Sequence, residues 1–298
     1  MRGSRSSNYP RSPMSLQEVV GITYGPFPVA ISDESVVDYI AATGDAVERW
    51  ARHAPPSYAA ALLFAVAPSF LEDERVRPYT GVLIHVDQEF CWNAPLPIGT
   101  KTSVGGRVDN VRERGGSLFV TFSCWVDSES GERLIDSVST FLMGAGSPPE
   151  SGDDSPEPAV SFRELNDPPP LSLRLEDGES LSVNKSASRI DLVKYAAASG
   201  DYNPIHFDRE AARSAGLDGI VVHGLLMSAW GLQVAAAMSD RPDPLVRTKI
   251  RFRNPLRPAA PARVEVTARG DCDDGRRVAF EVVSEGSRLA TANCVVNR

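Results

Sequence analysis

Cysteine is scarce in this chain of 298 residues: the four cysteines are far too few for a disulfide framework, and no two of them form a Cys-x-x-Cys pair. A secreted disulfide scaffold and a zinc site built on that pair are therefore unsupported, and a cytoplasmic location is expected. Positive charge is also in deficit, because 39 acidic residues outnumber 31 lysines and arginines and leave a net charge of −8. Nucleic acid and anionic membranes are not expected partners, since both select a basic surface.

Apolar runs of membrane-spanning length are missing as well, because a bilayer takes about 20 residues to cross. Two longer runs, residues 58–66 and 224–238, fall short of that length, so no membrane insertion is expected. The second has only Ser228 and Gln233 as polar side chains, which is typical of a helix buried on every side. Residues 1–15 are rich in serine, arginine and proline and lack the apolar core of a secretory signal, so a disordered tail is predicted there.

A change of composition divides the chain. Residues 144–170 hold seven prolines, three glycines and six acidic residues, which predicts a linker between residues 16–143 and residues 171–298. The two halves repeat one pattern. In each, a helix ends in Ala-Ala-Thr-Gly or Ala-Ala-Ser-Gly just before an aspartate, and an apolar helix, a Phe-to-Pro-Leu segment and alternating strands follow.

One wholly apolar helix followed by about four antiparallel strands indicates a curved sheet wrapped around a buried helix. This unit is a hotdog, and the sequence predicts an α+β tandem, or double, hotdog with the two sheets placed edge to edge to hide their strand edges. The predicted strands are residues 104–111, 118–126 and 134–142 in the first half and 264–268, 277–283 and 289–296 in the second.

The residues that point to chemistry lie in the second half, in the segment Asp201-Tyr-Asn-Pro-Ile-His206. Gly200 suits the left-handed end of the preceding helix, and Pro204 prevents the helix from continuing, so Asp201 and His206 are placed on a stiffened loop. A carboxylate and an imidazole five residues apart can hold one water between them as an acid and base pair. Spacing alone explains a loop-stabilising hydrogen bond equally well.

A second feature follows at His223 and Gly224, where the buried helix of this half begins. The first N–H groups of a helix have no partner within the helix and lie at the positive end of its dipole. Glycine lets a substrate oxygen approach this backbone closely, so the start of the helix can supply an oxyanion hole.

These residues carry a resemblance. Ser-Gly-Asp201-Tyr-Asn203-Pro-Ile-His206 followed by Ile-Val-Val-His223-Gly224 resembles the MaoC-like, (R)-specific enoyl-CoA hydratase family over residues 185–296. Residues 19–143 resemble the degenerate N-terminal hotdog of its double-hotdog members. The matching segments there are Ile84-His85-Val-Asp-Gln88-Glu89-Phe90 and Pro95-Leu96-Pro-Ile-Gly99.

The resemblance implies a hydro-lyase that reversibly hydrates trans-2-enoyl thioesters to the (3R)-hydroxyacyl form. It implies that Asp201 and His206 share the catalytic water as base and acid and that Asn203 holds the loop and orients His206. The Gly224 N–H would polarise the thioester carbonyl, and His223 beside it is assigned to substrate binding. No metal and no redox cofactor is implied, since coenzyme A or an acyl carrier enters as part of the substrate.

The first half departs from this pattern. Trp50 stands five residues after Asp45, where a catalytic histidine would be needed, and Ala-Pro55-Pro56-Ser replaces the His-Gly pair. Proline has no N–H, so neither position can donate to an oxyanion. We therefore expect Asp45 to be structural and the chain to hold one active site, in the second half, with the first half lending space for a larger acyl group.

Two weaker signals remain. Arg247, Lys249, Arg251 and Arg253 alternate along a predicted strand and could bind coenzyme A phosphates, although a solvated strand face is the simpler interpretation. His85 is expected to pack or to form a hydrogen bond inside the first half rather than to take part in catalysis.

Two other functions stay open. Hotdog folds also host thioesterases, in which water attacks the carbonyl carbon, and a non-catalytic acyl-binding subunit would need no acid and base pair. The Asp-x4-His spacing favours hydration, and the presence of both residues argues against a pure binder. The sequence does not decide between coenzyme A and an acyl carrier protein, nor the acyl chain, the pathway, the direction or the oligomeric state, for which a homodimer is one candidate.

Overall fold

The computed structural model describes residues 15–147 and 166–298. The predicted tail, except for Ser15, and most of the predicted linker lie outside the described residues. Ser15 itself has a defined place, because it caps a short 3-10 turn over Leu16–Val19 through a reciprocal pair of hydrogen bonds with Glu18.

The two halves have the same order of elements. The first contains β1 (Thr23–Ile31), α1 (Asp33–Thr43), α2 (Ala59–Leu71), β2 (Val82–Trp92), β3 (Thr100–Arg114), β4 (Ser117–Ser128) and β5 (Arg133–Gly144). The second contains β6 (Ser180–Lys185), α3 (Arg189–Ser199), α4 (Arg209–Ser214), α5 (Gly224–Ala236), β7 (Leu245–Phe252), β8 (Ala262–Cys272), β9 (Gly275–Ser284) and β10 (Ser287–Val296). The short helix α4 has no counterpart in the first half.

All ten strands form one antiparallel sheet in the order β1-β3-β4-β5-β2-β7-β10-β9-β8-β6. Each half contributes five adjacent strands, and the halves join where β2 pairs with β7, from Asp87 opposite Arg251 to Cys91 opposite Arg247. The predicted double hotdog with its sheets edge to edge is therefore confirmed.

The prediction of about four strands per half misses one strand in each. The missed strands, β1 and β6, form the two outer edges of the sheet. β1 contains Pro26 and Pro28, which an edge strand tolerates because one side of its backbone needs no partner. β6 is six residues long and alternates exposed polar residues with inward ones, so it carries little apolar signal.

The core is built around the two apolar helices. Twelve of the 13 residues of α5 are buried, which explains the lack of a polar face in its sequence. Gly231 lets α5 lie directly on the sheet, because a Cβ there would come within 2.5 Å of the Phe280 ring. None of the helices within residues 15–147 and 166–298 is long and apolar enough to cross a membrane.

The remaining long helices, α1 and α3, bring the two halves together on the helical side of the sheet. Their Tyr39 and Tyr195 rings lie 6.0 Å apart. Each helix ends at a glycine in the left-handed conformation, Gly44 (φ 66°) and Gly200 (φ 77°). The chain therefore enters equivalent loops, one starting at Asp45 and the other at Asp201.

Candidate active site

Asn203 fixes the loop that carries the predicted acid and base pair. Its side-chain amide donates to the Leu83 carbonyl of β2 over 2.8 Å, which ties the loop to the first half of the chain. Its Oδ1 accepts from the Ile205 N–H at the start of a 3-10 turn over Pro204–His206. The position of the His206 ring thus depends on Asn203.

The tautomer of the His206 ring follows from the hydrogen bond that its Nδ1 forms. Nδ1 lies 2.8 Å from the Val221 carbonyl oxygen, and since a carbonyl can only accept, Nδ1 carries the proton. Burial lowers the pKa of His206 to about 4, so the ring is neutral near pH 7 and its Nε2 presents a lone pair.

The pKa of Asp201 is shifted in the opposite direction. Its side chain is buried, and loss of solvation raises its pKa to about 7, against a small lowering by the Asn203 N–H that donates to Oδ1. The carboxyl can therefore hold a proton near neutral pH, unlike an ordinary aspartate.

His223 packs behind this pair. Its ring stacks on His206 with centroids 3.7 Å apart, and its Nε2 donates to the backbone carbonyl of Asp201 over 3.2 Å. Burial holds the pKa of His223 well below its ordinary value. Since His223 does not line the cavity described below, its assignment to direct substrate contact is not what the geometry indicates; the ring supports His206 from behind.

A metal could be considered at the same residues. Asp201, His206 and His223 each offer one ligand-type atom, and these atoms lie within 4.8 Å of one another. Each imidazole uses one ring nitrogen on a backbone carbonyl and has the other left over, so these contacts neither require nor exclude a metal ion.

A cavity of about 430 Å³ opens in front of Asp201, Asn203 and His206. Gly224 faces the same cavity, and its N–H, at the first turn of α5, has no hydrogen-bond partner among the described residues. A Cβ at Gly224 would come within 3.1 Å of the Phe252 ring, so glycine is the residue that keeps this backbone both tightly packed and open to the cavity. The structure thus brings the four predicted catalytic residues together.

The rest of the cavity wall comes largely from the first half. The apolar contributors there include Phe64, Leu71, Leu83, Phe119, Phe141 and Leu142, and His85 lies among them. This arrangement agrees with the expectation that the first half lends space to the site.

The equivalent loop of the first half contains no free acid and base pair. Trp50 donates its indole N–H to Asp45 over 3.0 Å, and the Ala46 N–H donates to the other carboxylate oxygen over 2.8 Å. Arg49 reaches into the second half and donates to the Ala236 carbonyl at the end of α5 over 2.8 Å. Through Arg49 this loop therefore holds the end of α5 in place, which agrees with the structural role expected for Asp45.

The basic row, which consists of Arg247, Lys249, Arg251 and Arg253, does not form one continuous basic surface. Arg247 pairs with Asp274, Lys249 with Glu89, and Arg251 with Asp87, so three of the four cations face acidic neighbours across the sheet. Arg253 lies beyond the end of β7 and is the one member that lines the cavity. The four cations therefore do not lie together at the cavity, and their binding of coenzyme A phosphates stays a prediction.

The sequence did not predict one residue that contributes to the site, Val221. Its backbone carbonyl sets the tautomer of His206, and a backbone partner leaves no trace in residue type. The aromatic wall of the first half was likewise not predicted residue by residue, because its members come from one helix and three strands that meet only in the folded chain.

Comparisons with known proteins concern the sequence and the fold of this chain. The model of the MaoC like domain matches residues 173–289. The chain is similar to 3-hydroxyacyl-thioester dehydratase X of Mycobacterium tuberculosis, with 28% identity over 242 residues that span 81% of this chain and 78% of that protein.

Two solved structures show the same fold. One is a MaoC-like dehydratase, with a TM-score of 0.78, 23% identity, and coverage of 95% of this chain and 99% of the other. The second, a conserved hypothetical protein from Mycobacterium tuberculosis described as having a double hotdog fold, gives a TM-score of 0.61 at 13% identity and covers 93% of this chain and 96% of its own. Residues 173–289 of this chain therefore match the MaoC like domain, and the chain as a whole has the double-hotdog fold.

Proposed function

We propose that this protein hydrates trans-2-enoyl thioesters and dehydrates (3R)-3-hydroxyacyl thioesters. The observation that carries the proposal is the convergence of three groups on one cavity: the Asp201 carboxyl, the unpaired Nε2 of His206 and the unpaired N–H of Gly224. The similarity to a protein named a 3-hydroxyacyl-thioester dehydratase supports the same reaction.

The hydrogen bonds favour a specific division of roles. A neutral His206 that donates through Nδ1 can only accept at Nε2, so it suits removal of a proton from the water. Asp201, whose pKa is raised to about 7, suits the role of proton donor. These roles are the reverse of those that the resemblance implies, in which Asp201 is the base.

Hydration then proceeds with all atoms accounted for. Water bonds to C3 while its proton passes to Nε2 of His206, and the double-bond electrons shift toward the thioester oxygen, which the Gly224 N–H stabilises. Asp201 delivers its proton to C2. Since both residues belong to one loop, hydrogen and hydroxyl arrive on the same face, and the proton on His206 afterwards returns to Asp201.

An absorbance assay at the enoyl thioester band tests the proposal. With crotonyl-, octenoyl- and branched enoyl-CoA as substrates, we expect loss of the band without release of free thiol, and a (3R)-hydroxyacyl product. The D201N and H206Q variants serve as controls for contaminating hydratase.

Two results would replace the proposal. Release of free thiol without formation of a 3-hydroxyacyl thioester would identify a thioesterase, and binding of these thioesters with neither thiol release nor loss of the band would identify an acyl-binding protein.

A further inference from the structure

A second cavity, which takes no part in the reaction above, lies where the two halves meet. Its volume is about 550 Å³, and it shares no lining residue with the catalytic cavity. The end of α1, the end of β6 and the first turns of α3 form its wall, and Leu226 and Trp230 of α5 complete it. Leu225 and Met227 of the same helix line the catalytic cavity, so α5 separates the two spaces.

Lys185 is the unusual residue of this second cavity. It is the last residue of β6 and takes an inward position, because that strand alternates between exposed and buried residues. Only 4% of its surface is exposed, yet its ammonium has no hydrogen bond and no ion pair among the described residues. Burial lowers the pKa of Lys185, while the charges of Asp45 and Asp167 oppose this shift and favour the ammonium form. A buried charge without a direct partner is costly, so an anion supplied by a ligand would bring a gain.

A ligand can reach two unpaired donors here. The indole N–H of Trp230 also has no partner within residues 15–147 and 166–298, although only 3% of the Trp230 surface is exposed. A buried tryptophan usually finds a partner for this N–H. The unpaired hydroxyl of Ser186 is fully enclosed by protein, whereas the Lys185 ammonium and the Trp230 N–H are not. Since both side chains line the second cavity, both donors are open to it.

The acidic side chains in the wall do not satisfy this ammonium. Asp167 and Asp191 each already accept two hydrogen bonds from one nearby residue, at distances between 2.6 and 3.1 Å. Their two negative charges balance those of Lys185 and Lys194, the two cations in the wall. A ligand with two negative charges would therefore be repelled by the carboxylates, and a single negative charge suits the cavity better.

The rest of the wall indicates what the anion is attached to. It is largely apolar, and the residues concerned are Ala41, Ala42, Ile190, Leu226 and the ring of Trp230. An inorganic anion would leave this surface uncovered, whereas a short apolar group would bury it.

We propose that the second cavity binds a small organic acid that has one carboxylate and a short apolar body. Lys185 pairs with the carboxylate, and Trp230 donates its indole N–H to the ligand. The cavity lies apart from the active site, so this inference goes beyond the proposed function and does not depend on it.

Binding of simple acids to the full-length wild type tests the proposal. Titration calorimetry gives the dissociation constants of benzoate and hexanoate and of the neutral analogues benzamide and hexanamide. We expect each acid to bind about 10-fold or more tightly than its amide, because a hydrogen bond between two charged groups is stronger than one to a neutral group. Inorganic phosphate, which has no apolar body, should bind more weakly than either acid.

Three variants assign the binding to this cavity. K185M keeps the apolar stem and removes the charge, so it should weaken benzoate binding about 10-fold or more and change benzamide binding little. K194M is the matched control, because Lys194 lines the same cavity but is exposed, and it should change the affinity by about 2-fold at most. W230F removes only the N–H and should weaken benzoate binding about 3- to 10-fold.

A competition experiment separates the second cavity from the catalytic one. The benzoate titration is repeated in the presence of saturating octanoyl-CoA, and the dissociation constant of benzoate should stay the same. Displacement of benzoate by octanoyl-CoA would place the acid in the catalytic cavity and overturn the proposal.

Three other results would also overturn it. These are the absence of binding by both acids up to about 10 mM, equal affinities for acid and amide, and unchanged benzoate affinity in K185M. If K185M kept that affinity but aggregated, Lys185 would instead protect the edge strand β6, as inward-pointing charges do. The comparison of acid with amide and the W230F variant still decide the matter if K185M fails to fold.

Discussion

The loops after α1 and α3 begin in the same way, at a helix end, but their polar side chains make different contacts. In the second half Asp201 and His206 face a cavity, each with an unused polar group. In the first half the corresponding carboxylate is held by Trp50, and Arg49 uses its guanidinium on the carbonyls at the end of α5. Two copies of one scaffold thus use their polar groups differently: in the second loop they are open to a ligand, and in the first they are satisfied within the protein.

Removing the acid or the base should have the largest effect. We expect D201N and H206Q each to lower kcat by about 10² to 10⁴, the usual contribution of a positioned proton-transfer group. D45N, the matched change in the first loop, should keep most of the activity. Steady-state kinetics on octenoyl-CoA measure all three variants.

Measurements of folding stability are the control for these kinetic measurements. Because burial raises the pKa of Asp201 from 3.8 to about 7, the folded state disfavours the ionised form, and the resulting cost in stability is absent well below pH 3.8, grows between these two values and is complete above pH 7. D201N removes that cost and should therefore unfold at a higher temperature than the wild type at pH 8. A near-normal turnover in D201N or H206Q, or a folded but inactive D45N, would show that the two loops were wrongly distinguished.

The pH dependence should show which loop controls the reaction. The active form holds one proton on the Asp201 and His206 pair, so kcat/KM should fall about tenfold per unit above pH 7 as that proton is lost. Measurement of kcat/KM between pH 5 and 9.5 gives the profile.

A rate that rises through pH 7 to a plateau would instead make an ionised Asp201 the base. D45N is again the matched variant: burial also raises the pKa of Asp45, to about 6, yet its removal should leave the profile in place.

A moderate effect is expected at Trp50. W50F removes the N–H that serves the buried Asp45 carboxylate and should lower the free energy of unfolding by about 1–3 kcal/mol with little loss of turnover. Denaturant unfolding measures the difference.

Trp92 offers a control, since its indole N–H donates to the Pro56 carbonyl over 3.1 Å. W92F should cost less than W50F, because a hydrogen bond to a neutral acceptor is weaker than one to a carboxylate. If W92F lowered the free energy of unfolding as much as W50F or more, the hydrogen bond from Trp50 to Asp45 would make no special contribution to stability.

The smallest effect concerns the carrier. R253A should raise KM for a CoA substrate about 3- to 10-fold at low salt and change kcat little, because a remote phosphate contact contributes equally to ground and transition states. K249A should leave KM unchanged, since Lys249 is paired with Glu89. Identical KM values for both variants and the wild type would remove Arg253 from the binding surface.

The sequence predicts the repeated architecture and the position of the loop that carries Asp201 and His206, and both predictions have a physical reason. Helix α5 has to be apolar on all sides to sit inside a curved sheet, and Asp201, Pro204 and His206 are read directly as residue types. The two edge strands escape prediction because they bury little apolar surface.

Contacts between distant segments are harder to foresee. The acidic partners of Lys249 and Arg251 come from β2 and that of Arg247 from the turn between β8 and β9, and which segments lie beside β7 is set by the tertiary fold. For the same reason the basic row looks like a free surface in the sequence.

The junction between β2 and β7 has a further consequence for partner choice. Glu89 faces Lys249 and Asp87 faces Arg251, so the seam is neutral when unlike strands meet. Two β7 strands pairing about Lys249 in the same geometry would set Lys249 against itself and Arg251 against Arg247, and like charges opposite each other are destabilising. The charges at the seam therefore favour pairing of one half with a half of the other kind and disfavour pairing of two identical halves.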